Sequence, residues 1–183
     1  MDTQQDKIHT CKTVYQWAKP YIKETRLAID IGCRQGWFAM QMEPDFNHIH
    51  CFDFRNKKEE FKKNIKDINK FTYHTVAIGD KDGFVLTTNN RVGRIKDNGN
   101  IVIQSKRLDS FNFENVGFIK LDVEGYELKC LLGAKQTIKK FNPVIIVEQN
   151  RGNMDAVNFL KVLGYECLGA DSIKNHDFLC VKR

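Results

Sequence analysis

The sequence predicts an α/β fold: a mostly parallel sheet of about seven strands, helices on both faces, and an antiparallel last strand. Three observations carry this. Short apolar runs alternate with helical patterns, as right-handed strand–helix–strand units require. Leu27-Ala28-Ile29-Asp30-Ile31 runs into Gly32-Cys33-Arg34-Gln35-Gly36 and then an apolar stretch, Trp37 to Met42, which reads as strand, glycine loop, helix. The last two strand-like runs, Tyr165–Leu168 and Asp177–Val181, are joined by about eight residues, too few for a helical crossover, so they should form a hairpin.

The elements follow in order. Cys11 to Lys23 reads as an amphipathic helix that Pro20 kinks or divides. After the glycine loop and its helix comes a second strand, His48 to Phe52, ending at Asp53. A lysine-rich helix is expected over 56–69, with Phe61, Ile65 and Ile68 as its apolar stripe. A third strand runs from Phe71 to Ile78, a turn falls at Lys81-Asp82-Gly83, and Phe84-Val85-Leu86 looks extended. Residues 87–100 read as a long loop or loose hairpin, with Arg91 and Arg94 as substrate-facing candidates or ordinary surface residues, returning through Ile101-Val102-Ile103. A fourth strand (117–121), a helix (126–139), a fifth strand (Val144 to Val147) and a helix from Met154 to Leu163, stopped by Gly164, complete the order.

The chemistry sits at strand ends. The fourth strand stops in three carboxylates, Asp122, Glu124 and Glu127. Ending a buried strand on acids is costly unless they bind or cap something, and ligands in open α/β sheets sit beyond these ends. In the glycine loop, Gly32 can take positive φ and Gly36 lets the following helix pack closely. Asp53, about twenty residues on, suits the two hydroxyls of a ribose, or caps the lysine helix.

These segments resemble the FkbM family of S-adenosylmethionine-dependent methyltransferases. The resemblance rests on AIDIGCRQGWFA at 28–39, FDF at 52–54, AIGDKDG at 77–83, RLDSF at 107–111, FIKLDVEGYELKCLLGAK at 118–135 and PVIIVE at 143–148. The chain departs from the family pattern at Asp53, where Glu is usual, and at His74-Thr75-Val76, where an Asn is common. The resemblance implies a Rossmann-like class I methyltransferase fold and S-adenosylmethionine as cofactor. It assigns cofactor binding to Asp30, Gly32, Cys33, Gly36, Asp53, Phe54, Ala77 and Ile78, with the adenine near Ala77 and Ile78 and Asp80 close by. O-methylation is implied, most plausibly of a hydroxyl on a sugar, a glycan or a small natural product. A hydroxyl needs a base or a metal to assist its attack. Asp122 and Glu124 are the catalytic candidates, either as base or, with Glu148, as ligands of a divalent cation. Glu127 is expected to complement its own helix N-terminus. His50 reads as a core or surface residue, and His74 as a base candidate of lower rank.

Composition narrows the partners. At 183 residues one domain is expected: an N-terminal helical segment (1–25), a core (26–150) and a C-terminal helix and hairpin (151–183). No run reaches the roughly 18–20 apolar residues that span a membrane, and MDTQQDKIHT lacks a signal-peptide layout, so a cytoplasmic location is expected. Cysteines 11, 33, 51, 130, 167 and 180 show no metal-ligand spacing and are expected to be reduced, small hydrophobes. The net charge of +6 comes largely from the lysine helix, read as a solvated basic face. A non-catalytic nucleic-acid-binding module is the first rival, but no aromatic-rich strand accompanies the lysines. A nicotinamide-dinucleotide oxidoreductase is the second, but the loop lacks the Gly-x-Gly-x-x-Gly arrangement that pyrophosphate needs.

Overall fold

A computed structural model describes residues 3–88, 95, 99–149, 153–169 and 177–183. Their order is α1 (Gln4–Ala18), β1 (Leu27–Ile31), α2 (Ala39–Met42), β2 (His48–Phe52), α3 (Lys58–Asn64), β3 (Phe71–His74), β4 (Ala77–Ile78), β5 (Gly83–Thr87) and β6 (Ile101–Lys106). Then come β7 (Val116–Leu121), α4 (Glu127–Leu132), α5 (Lys135–Phe141), β8 (Val144–Glu148), α6 (Asp155–Val162), β9 (Glu166–Gly169) and β10 (Asp177–Val181). Seven strands form one sheet, β3-β2-β1-β7-β8-β10-β9, and three form a second, β4-β6-β5. β1 runs parallel to β2 and β7, β2 to β3, and β7 to β8, while β10 is antiparallel to both its neighbours. The expected α/β class and terminal hairpin are what the chain forms.

Both faces of this sheet are covered, which is why β1 and β7 are buried throughout and, apart from Asp30 and Lys120, carry no charged residue. Val14, Tyr15 and Ala18 of α1, Ala39 and Met42 of α2, and Phe61 of α3 pack with Ala28, Ile49, Phe118 and Ile146 on one face. Cys130 and Leu131 of α4, Ile138 of α5, and Ala156, Val157 and Leu160 of α6 pack with Ile29, Ile119, Leu121 and Ile145 on the other. Phe118 anchors the first face, stacked on Phe38 with ring centroids 6.1 Å apart.

Several elements differ from expectation. The first helix starts earlier, because Thr3 and Asp6 close a capping box at its N-terminus. It ends at Ala18, giving way to a 3-10 turn that holds Pro20. The lysine helix stops at Asn64: the buried Glu43 carboxylate accepts from the amides of Lys66 and Asp67 and pins the next segment out of helix. Ile68 is consequently 44% exposed and no part of the core. Lys57 and Lys62 pair with Glu60 and Glu59 on that helix, a solvated arrangement.

The third strand divides. Phe71–His74 stays in the main sheet, whereas Ala77 and Ile78 pair with Ser105 and Lys106 of β6. The helix after the acidic block also divides, at Gly133. A Cβ there would lie 1.9 Å from the Gly79 carbonyl oxygen. The second piece, α5, is capped by Asp109, which accepts from the Gln136 and Thr137 amides at 3.0 and 2.9 Å. RLDSF is therefore scaffold at its Asp. The expectation of six reduced cysteines is overturned for two of them. Cys167 and Cys180 face each other directly across the β9–β10 ladder and form a disulfide. Most of the 87–100 loop, including Arg91 and Arg94, lies outside the described residues.

Candidate active site

The carboxyl ends of β1, β2, β7 and β8 open into two adjoining clefts that share Gly32 and Glu124. The first encloses about 400 Å³, open mouth included, between Phe52, Asp53 and Phe54 on one side and Ala77, Ile78 and Ile95 on the other. The second, about 940 Å³ with its mouth, lies beneath α1 and is walled by Asp30, Cys33, Trp37, Lys120, Asp122 and Glu148, with Lys7 and Cys11 above.

Sheet register builds the second cleft. Asp30 of β1 pairs with Lys120 of β7, so both side chains rise from one face. One step further along, Asp122 follows β7, and Glu148 of β8 pairs with Asp177 of β10. Lys120, whose side chain is 8% exposed, donates to Asp122 Oδ2 at 3.0 Å. Asp30 is fully buried, and neither carboxylate oxygen has a hydrogen-bond partner among the described residues. The Ala39 amide is close enough to pull its pKa down slightly, not to bond it. Burial pushes the Asp30 carboxyl up to about 6, against the pull of Lys120. The buried Trp37 indole N–H is likewise unpartnered among the described residues.

Burial would depress the Lys120 ammonium, but Asp122, Asp30 and Glu148 together hold it above its ordinary value. Asp122 and Glu148 lie close enough for each to shift the other's ionisation. Burial works to raise Asp122, yet Lys120 outweighs it and keeps that carboxyl low. Glu148 is driven up, first by burial and then by the charge of Asp122. The two carboxyls are thus pushed apart, Asp122 towards the ionised form and Glu148 towards the protonated one.

Asp53 is buried and fully engaged. Its Oδ1 accepts from the Arg55 amide at 2.8 Å and Nε at 2.7 Å; its Oδ2 accepts from the Arg34 amide at 3.0 Å and Arg55 Nη2 at 2.8 Å. It thus ties the glycine loop to the end of β2. It does not cap α3, whose N-cap is Lys57. Gly32 has φ +88°, and a Cβ there would lie 1.8 Å from the Asp122 carbonyl oxygen. Its close approach is to the β7 end, so it fixes the loop against the acidic turn. Gly36 packs on the Phe61 ring of α3 and lines neither cleft.

Of the residues singled out from sequence, Gly32, Asp53, Phe54, Ala77, Ile78 and Glu124 meet in the first cleft, and Asp30, Gly32, Cys33, Asp122, Glu124 and Glu148 in the second. Asp80 lines neither and pairs with Lys129 at 2.7 Å. Glu127 accepts from the amides of Val123 and Gly125 and shapes the acidic turn, where Glu124 takes φ +57°. The divalent cation is not supported. No three acids, histidines or cysteines among the described residues form a metal-binding group, and a fixed ammonium, Lys120, already stands against Asp122. His50 and His74 bond each other at 2.8 Å and lie against Phe113 and Phe52, and neither lines a cleft. Sequence reading missed Lys120 and Arg55. The signal for Lys120 was there: a lone lysine inside an apolar strand, two residues before its acid.

Sheet order, glycine loop and strand-end acids define the class I methyltransferase fold. A model of the methyltransferase FkbM domain matches residues 30–167, and the chain belongs to that family. Among solved structures it is similar to methyltransferase FkbM from Methylobacillus flagellatus KT (16% identity, TM-score 0.62), covering 85% of this chain and 43% of that one. The chain thus spans less than half the length of that relative. It is also similar to a putative methyltransferase from Streptococcus mutans in complex with SAH (13% identity, TM-score 0.55, covering 98% and 97%). A third likeness is magnesium protoporphyrin IX methyltransferase from Synechocystis PCC 6803 with bound SAM (11% identity, TM-score 0.54, covering 96% and 79%). No curated protein sequence matches the chain. No helix among the described residues is long and apolar enough to cross a membrane.

Proposed function

We propose that this chain is an S-adenosylmethionine-dependent methyltransferase that methylates a hydroxyl oxygen on a sugar, a glycan or a small natural product. The observation that carries the cofactor reading is Asp30: a fully buried carboxylate, unbonded at both oxygens, on the wall of a cleft behind a glycine loop. Burying such a group without a partner is costly. A ligand that brings an ammonium group to it removes that cost, and this cofactor carries one. The residues present therefore fit the group.

When bound, the cofactor supplies a methyl carbon activated by a sulfonium. The first cleft, apolar at Phe52, Ala77, Ile78 and Ile95, suits a flat adenine. Asp53 lies at its edge, where ribose hydroxyls would compete with Arg55 for the carboxylate. Asp30 takes the ammonium. Asp122 is the base for the acceptor hydroxyl, because Lys120 bonds it and favours its ionised form, whereas Glu148 is driven towards its protonated form. Glu124, exposed on the left-handed turn, is the second base candidate.

Calorimetric titration with S-adenosylhomocysteine (SAH) tests the reading. Micromolar binding is expected, weakened at least tenfold, about 1.4 kcal/mol, by the isosteric Asp30→Asn. A folded sample that binds nothing at millimolar SAH would sink it.

A further inference from the structure

We infer that Lys120 receives the carboxylate of the cofactor's amino-acid tail, so that Lys120 and Asp30 together recognise a zwitterion. This rests on the methyltransferase reading and names a binding residue for it. Lys120 and Asp30 are register partners on neighbouring strands and line the same cleft. An ammonium has three N–H donors, and Asp122 takes one of those on Lys120.

Charge makes the role necessary. The cleft wall carries Asp30, Asp122, Glu124, Glu148 and Asp177. A ligand carboxylate entering among these acids is repelled unless a cation meets it. The cleft's other cations are less suited. Lys7 is exposed on α1, its ammonium over the Trp37 ring at 5.6 Å. Arg34 is only half-buried on the glycine loop, and its charge already acts on Asp122. Lys120 alone of the three is buried, and an ion pair formed out of water is stronger than one in it.

The geometry also sorts the two ends of the tail. Asp30 lies towards the glycine loop, and Lys120 towards Asp122 and the acidic turn. A tail held at both ends has a fixed orientation, which fixes the atoms joined to it.

The test compares three ligands on the wild-type protein: SAH, its decarboxylated analogue, and 5′-methylthioadenosine, which lacks the tail. Wild type should prefer SAH to the decarboxylated analogue at least tenfold. Lys120→Met should bring that preference below threefold while leaving affinity for 5′-methylthioadenosine within twofold. Lys7→Met should keep the preference. Equal wild-type binding of SAH and its decarboxylated analogue overturns the inference without any variant. So does loss of the preference in Lys7→Met, or an equal weakening of all three ligands in Lys120→Met, the mark of a purely structural lysine. A wild-type protein that binds none of the three overturns the methyltransferase reading itself.

Discussion

Arg55 folds back onto Asp53 and grips both carboxylate oxygens, Nε 2.7 Å from Oδ1 and Nη2 2.8 Å from Oδ2, with both side chains almost sealed from solvent. Breaking such a buried pair from one side leaves an uncompensated charge. Arg55→Met is expected to lower the unfolding free energy by about 3 kcal/mol, read from urea denaturation. SAH affinity should hold or rise, because two acceptor positions on Asp53 are freed for the ribose. A tenfold loss of affinity would mean that Arg55 itself contacts the cofactor.

Asp30 sets a trade between stability and binding. Its folded pKa, about 6, lies above the ordinary 3.8, so the fold binds this proton more tightly than the unfolded chain does. The penalty is absent below pH 4, grows as pH rises, and is complete above pH 6. At 1.36 kcal/mol per pH unit the gap amounts to on the order of 3 kcal/mol. Asp30→Asn should therefore melt higher than wild type at pH 7.5 and equally at pH 4, while binding SAH more weakly. Equal melting at both pH values would show that Asp30 is not stranded.

The main sheet was legible because its strands are largely apolar runs between turn signals; Leu27–Ile31 and His48–Phe52 fall where the sequence puts them, and β8 runs one residue past the expected Val147. Strand-end acids were legible for the same reason. Pairing across long stretches of chain was not. Nothing in Ala77-Ile78 says that its ladder partner lies at Ser105-Lys106. Nor does the composition of 56–69 show that Glu43 will stop the lysine helix. Lys120 stands out in the sequence as a lone lysine in an apolar strand, but its meaning lies in register: beside Asp30 and before Asp122 it becomes part of a charged cleft.

The histidine cluster should make the protein acid-labile. Burial, then the charges of His74 and His48, lower His50 to about 4. His74 is lowered by burial and then by Lys106, and His48 by burial. A depressed histidine contributes stability that is fully present above its ordinary 6.5 and is lost as pH falls through the folded value. His50→Gln should therefore lose less melting temperature than wild type between pH 6.5 and 4. Parallel melting curves for the two proteins over that range would rule this out. Asp30 works in the opposite direction over part of the same range, so the comparison is best made in the Asp30→Asn background.

The Cys167–Cys180 bridge leaves Cys11, Cys33, Cys51 and Cys130 as free thiols. Four cysteines, not six, should react with a maleimide in denaturant without reductant, as counted by intact mass. The bridge spans 13 residues, a loop whose closure is worth roughly 3 kcal/mol in the chain-entropy account. Cys180→Ser should lower stability by about 2–3 kcal/mol. Six reactive thiols in the untreated protein would remove the bridge from the account.

The first cleft has one wall on each of two sheets. Phe52 and Ile31 hang on the main ladder, and Ala77 and Ile78 on the short ladder with β6. The cleft is thus a seam between two ladders, its lips joined by the two residues that separate His74 from Ala77. Its width is set by the packing of Phe52, Val76 and Ile78, which lie in one core cluster, and not by the rungs of either ladder.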